Sequence, residues 1–84
     1  MDFGQYKSTY AAVSPSGEVL DTISTLVADE DAKSWGNKLA ETYGSGFCVV
    51  ALRRSVGQPD CVIDCWGEAR EVDVDIKFVR DKVI

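Results

Sequence analysis

Histidine is absent from this 84-residue chain, which also has only one methionine and two prolines. Without an imidazole there is no ordinary base to activate a serine or cysteine, and no Gly-x-Ser-x-Gly elbow is present to present a nucleophile. No glycine-rich phosphate loop and no Cys-x-x-Cys pair occurs either, so neither a nucleotide cradle nor a redox or zinc motif can be read from the chain. No cofactor is implied. Paired carboxylates of the glycosidase kind would need a substrate cleft, for which a chain of this size has little room. The longest apolar run, Phe47 to Leu52, is far too short to cross a bilayer.

The charge balance narrows the reading further. Nine basic residues against fourteen acidic ones leave a net charge of -5, whereas affinity for nucleic acid comes largely from lysine and arginine neutralising phosphates. The basic residues are also scattered, with Arg53 and Arg54 adjacent. Direct binding to DNA or RNA is therefore disfavoured, as is a membrane. The first residues show neither a basic region nor an apolar segment of the secretory type, so the expected location is cytoplasmic. Three cysteines, an odd number, argue against a disulfide framework. Cys61 and Cys65 on one strand would lie about 13 Å apart at the usual strand rise, beyond the roughly 7 Å that a disulfide spans. All three are expected to be reduced and interior.

What is present is a folded composition. Apolar residues make up 45% of the chain, no low-complexity run interrupts it, and its length suits one domain, residues 1–84, with a thin core. Residues 5–13 and 18–27 are strand-like, separated by Ser14-Pro15-Ser16-Gly17, which has proline and glycine where a type I turn takes them. Val19, Ile23 and Val27 would share one face of the hairpin, with Leu20 and Leu26 on the other. At residue 28 the period changes. Ala32, Trp35, Leu39, Ala40 and Tyr43 recur at helical steps, with Asp29 as the expected N-cap, Glu30 and Asp31 in the first turn, and Gly44-Ser45-Gly46 as the stop. Gly36 inside that helix costs about 1 kcal/mol relative to alanine, and close packing on the sheet would explain its presence.

Three further strands are expected at 47–54, 61–66 and 70–80. The last alternates cleanly, with Val72, Val74, Ile76 and Phe78 opposite Glu71, Asp73, Asp75 and Lys77. If Arg54 faces Cys61 and Trp66 faces Ala69, then Cys48, Val50, Leu52, Cys61, Ile63 and Cys65 join the apolar side of that last strand in one continuous surface. The expected fold is α+β, in the order β-β-α-β-β-β, with one helix packed on the apolar side of an antiparallel or mixed sheet. Asp73-x-Asp75 is too small a carboxylate set for a metal without a third ligand, so no metal is expected.

That arrangement leaves Phe47, Val49, Val62 and Trp66, flanked by Arg53 and Asp64, on the face away from the helix. Contiguous apolar surface with a tryptophan marks a candidate interaction face. The order of hairpin (Tyr10 to Val19), aspartate-led helix start (Ala28 to Ala32) and apolar strand (Phe47 to Leu52) is similar to that of small accessory proteins of phages and gene cassettes, a likeness of pattern over about half the chain. The likeness leans toward a small binding or modulating protein, and with the apolar Trp66 face the leading reading is a small non-enzymatic interaction or modulator module, binding a protein partner or a second copy as a homodimer through that face or an exposed strand edge. Two other readings stand beside it. One is an acidic nucleic-acid mimic that inhibits a DNA- or RNA-binding protein; the other is a small-molecule binder or small enzyme using the space near Tyr6, Tyr10, Trp35 and Tyr43.

Overall fold

A computed structural model describes residues 8–25, 29–53 and 59–84. The fold is α+β: four antiparallel strands form one open sheet, and two helices pack on it. In chain order the elements are β1 (Ser8–Val13), β2 (Val19–Thr25), α1 (Asp29–Tyr43), β3 (Phe47–Arg53), β4 (Cys61–Trp66), a 3-10 turn at Glu71–Asp73, and α2 (Ile76–Val83). The sheet order is β2-β1-β3-β4. Since β2 and β3 both run antiparallel to β1, they are parallel to each other, and α1 is the crossover between them.

The hairpin turn forms as its residues suggest. Gly17 N–H donates to Ser14 C=O at 2.9 Å, and Gly17 adopts a φ of 88° that a side chain would strain. Past the turn, a break in register between Ala12 and Val13 changes the parity of β2. Val19 therefore packs on one side of the sheet while Leu20 and Ile23 pack on the other, separating the expected pair Val19 and Ile23. Leu26 and Val27 lie outside the described residues.

β1 and β3 are the two central strands and are buried on both faces, which explains the unbroken apolar run of β3. On one face Tyr10, Ala12, Phe47, Val49 and Ala51 meet Ala32 and Leu39 of α1. On the other, Ala11, Val13, Val50 and Leu52 meet Val79 of α2, with Ile76 and Val83 beside it. The helical stripe on α1 forms as expected except for Tyr43, which is 52% exposed. Gly44 ends α1 at a φ of 80°, its N–H donating to Ala40 C=O at 3.0 Å.

Gly36 explains itself in space. A Cβ there would overlap the indole of Trp66, which lies against α1, stacks on Phe47 at 5.1 Å between ring centroids, and donates from Nε1 to Asn37 Oδ1 at 2.8 Å. The helix thus packs closely because it lacks one methyl group.

Three expectations change. Residues 70–80 are not a strand. Their alternation ends at Asp75, whose carboxylate caps α2 by accepting from Phe78 N–H at 3.1 Å, after which Ile76, Val79 and Val83 follow a helical spacing. The helix α1 lies on the Phe47 face, not on the Cys48 face. The register of β3 with β4 also differs by two residues from the expected one, pairing Cys48 with Cys65, and it breaks between Val49 and Val50. That bulge reverses the expected sides beyond it, putting Val62 on the Val50 side and Cys61 and Ile63 on the α1 side.

The same register overturns the expectation of three free thiols. Cys48 and Cys65 face each other with 4.0 Å between Cα atoms and form a disulfide, leaving Cys61 free. Thiol titration in denaturant without reductant should therefore find one thiol per chain, and three after reduction; closing a loop of this length contributes about 3 kcal/mol, so reductant should lower the denaturation midpoint. Three thiols before reduction would remove the bond. Gly36→Ala should lower the melting temperature despite its gain in helix propensity of about 1 kcal/mol, because overpacking costs about 1–3 kcal/mol and Trp66 is held on two sides. An unchanged melting temperature with unchanged tryptophan fluorescence would show that the indole does not lie there.

Candidate interaction surface

The expected interaction face is occupied. Phe47 and Val49 are 1% and 0% exposed, since α1 covers them, and Trp66 is clamped between Phe47 and α1. Val62 sits across the sheet in the α2 cluster. Asp64 is exposed on β4, and Arg53 belongs to a polar cluster at the end of β3. The structure therefore distributes these six residues among two cores, an edge and an ion pair.

That polar cluster is the part of the molecule richest in chemistry. Arg53 donates to Asp29 Oδ2 at 2.9 Å and to Cys61 Sγ at 3.6 Å, and Tyr10 Oη donates to Asp29 Oδ1 at 3.1 Å. The Arg53 hydrogen bond holds the Asp29 carboxyl below the usual carboxylate range and raises the guanidinium, while burial pushes the Tyr10 hydroxyl up, aided by its bond to Asp29. Each charge is matched and each contact runs between structural elements, so the cluster pins the start of α1 to β1 and β3. A second arginine does the same for α2. Arg80 donates to both carboxylate oxygens of Asp60, at 2.8 and 2.9 Å, and to Arg53 C=O at 3.1 Å, and Asp60 accepts from Arg53 N–H at 2.8 Å.

The sheet edges are guarded. On β2, Thr22 N–H donates to Asp21 Oδ1 at 2.8 Å, and on β4, Cys65 N–H donates to Asp64 Oδ1 at the same distance. In each case an exposed aspartate on an edge strand accepts from the next backbone N–H, and a carboxylate on an edge strand disfavours pairing with another chain. The bulge in β4 guards that edge further.

The described residues leave apolar surface open chiefly in the C-terminal segment. Among the described residues, the exposed large hydrophobics are Tyr43, Val72, Phe78 and Ile84, three of them between the 3-10 turn and the chain's last residue. Phe78 and Val79 on α2, Val74 ahead of it, and Val13, Pro15 and Gly17 of the hairpin line a groove of about 230 Å³, with Asp73 and Asp75 at its acidic side. Gly17 helps make this space, because a Cβ there would come within 3.7 Å of the Phe78 ring. Small-molecule pockets usually measure about 300–1,000 Å³, so the groove suits a side chain better than a metabolite. The other space considered from the sequence is filled: Tyr10 is fully buried and Trp35 packs in the core, while Tyr43 points outward. Tyr6 lies outside the described residues.

Neither the cysteines nor the helix start offered a signal for this groove. Of the residues that line it, Val74 and Phe78 read in the sequence as the apolar half of an apparent strand, and Pro15, Ser16 and Gly17 as a turn. No described helix is long and apolar enough to cross a membrane. No protein-family model, no curated protein and no solved structure matches the chain.

The Asp29 carboxyl gives a test of the polar cluster. A lowered folded-state pKa stabilises the fold above the unfolded value of about 4 and ceases to do so as pH falls through the folded value. Asp29→Asn should therefore melt at a lower temperature than the parent at neutral pH, with the difference closing in acid. A difference of the same size in acid would mean that the charge on Asp29 contributes nothing.

Proposed function

We propose that this protein is a small non-enzymatic interaction module that binds a protein partner through its C-terminal segment, centred on Phe78. The observation that carries the reading is the concentration of exposed apolar side chains there, Val72 at 86% and Phe78 at 50%, beside a groove of side-chain size. Among the described residues, both sheet faces are covered, and outside this segment Tyr43 is the exposed large hydrophobic. Leaving an aromatic ring half in water at the lip of a groove is the signature of a contact surface. An accessory or modulator role suits a chain of this size and makes the partner the seat of any activity.

Two other readings receive less support. The net charge of -5 is modest for an acidic mimic of nucleic acid, and an apolar groove has no part in such mimicry. Self-association through Trp66 loses its surface to α1. The Cys48–Cys65 bond also bears on location: cytosolic reductants keep such thiols reduced, so an oxidised pair favours an oxidising compartment over the cytoplasmic one expected from composition.

Affinity capture from lysate of the source organism tests the proposal, comparing the parent with Val72→Ser/Phe78→Ser and, as a control, Tyr43→Ser, which removes an exposed aromatic from the far end of α1. Truncating an aromatic anchor commonly costs about 2 kcal/mol or more of binding. A protein retained by the parent and by Tyr43→Ser but lost by the double variant is the expected outcome, with all three chains melting alike. Equal retention by all three would place the interface elsewhere, and loss of the partner as salt rises, whichever variant is used, would favour the mimic.

A further inference from the structure

The groove has an apolar floor and acidic side chains beside it, and this combination selects what enters it. Val13, Val74 and Val79 give it aliphatic walls, and Phe78 gives it an aromatic one. Asp73 and Asp75, both exposed, add two carboxylates, of which Asp75 already caps α2. We infer that the groove receives the side chain of a lysine or arginine of the partner, its alkyl stem along the valines and its charged head toward Asp73 and Asp75. This deepens the proposed function and rests on it.

Size and charge both point this way. A volume of about 230 Å³ holds one long side chain and little more. An aliphatic stem with a cationic tip matches such a site because the stem gains by leaving water while the tip remains solvated beside the acids. The N-terminus of α2 opposes a cation with roughly half a positive charge, but two carboxylates outweigh it. The Phe78 ring is already suited to a cation: the chain's own Lys82 ammonium stands 5.7 Å from its centroid.

The test uses n-butylguanidinium as a probe of the arginine head and stem, with the neutral n-butylurea beside it, and follows backbone amide shifts of the intact protein by NMR. The expected result is saturable shifts at Val13, Gly17 and Val79 with the cation at millimolar affinity and weaker shifts with the urea. Asp73→Asn/Asp75→Asn should weaken the cation about three- to fivefold, as two exposed charge pairs do. Asparagine caps a helix as well as aspartate, so this variant keeps α2 while losing both charges. Equal binding of the urea, or no effect of the double variant, would overturn charge recognition, and no shifts with either probe would overturn occupancy of the groove. Neither result would rescue or sink the interaction surface itself, which stands or falls on whether Val72 and Phe78 are needed for capture.

Discussion

The structure depends on the two-sided burial of β1 and β3. Two strands of a four-stranded sheet, carrying no charge between Ser8 and Leu52 apart from what the connections bring, cannot stand in water on either face. One helix would leave half of their side chains wet. The chain therefore needs a second cover, and the segment after β4 supplies it by passing to the other side of the sheet as α2. Fully burying a valine, leucine or phenylalanine contributes about 1.5–3 kcal/mol. In a domain with so thin a core, the loss of either cover would remove a large share of the total stability.

Both covers are fastened at the same place. Arg53 closes β3 and reaches Asp29 at the start of α1, while its backbone joins Asp60 and Arg80, so that α2 is tied to the same strand end. These are charge-assisted hydrogen bonds between distant parts of the chain, exposed at Asp29 and partly buried at Asp60 and Arg80, which orient the helices more than they stabilise the fold. With α2 held by Arg80 and Val79, its first turn projects beside the hairpin. The groove exists because a rigid turn at Gly17 and a capped helix start at Asp75 come together without filling the space between them.

Local chemistry was legible where it was self-contained. The turn at Ser14 to Gly17, the helix from Asp29, its glycine stop and the apolar centrality of β3 each follow from residues within one turn or one strand. The close approach at Gly36 could be anticipated as well, because an interior glycine needs a reason. Register was not legible. A two-residue difference between β3 and β4 leaves every side chain on its face, so hydrophobic pattern alone cannot distinguish the two pairings, and that difference decides whether Cys48 meets Cys65. The bulge beside Val50 then reverses the parity that pattern would carry forward. The candidate groove was hidden for a related reason: Val72, Val74, Ile76 and Phe78 read equally well as one strand face, whereas only Asp75 acting as a cap reveals the change of period.

By itself the sequence determined an α+β chain with a Pro-Gly hairpin turn, one aspartate-led helix and a central strand that had to be buried, because propensity, capping and period act within a few residues. Only the tertiary structure decided which face each helix covers, that residues 76–83 coil instead of extending, that two cysteines pair, and which apolar side chains remain in water. Those outcomes hinge on contacts between segments far apart in the chain, where several local patterns are equally consistent and packing selects among them.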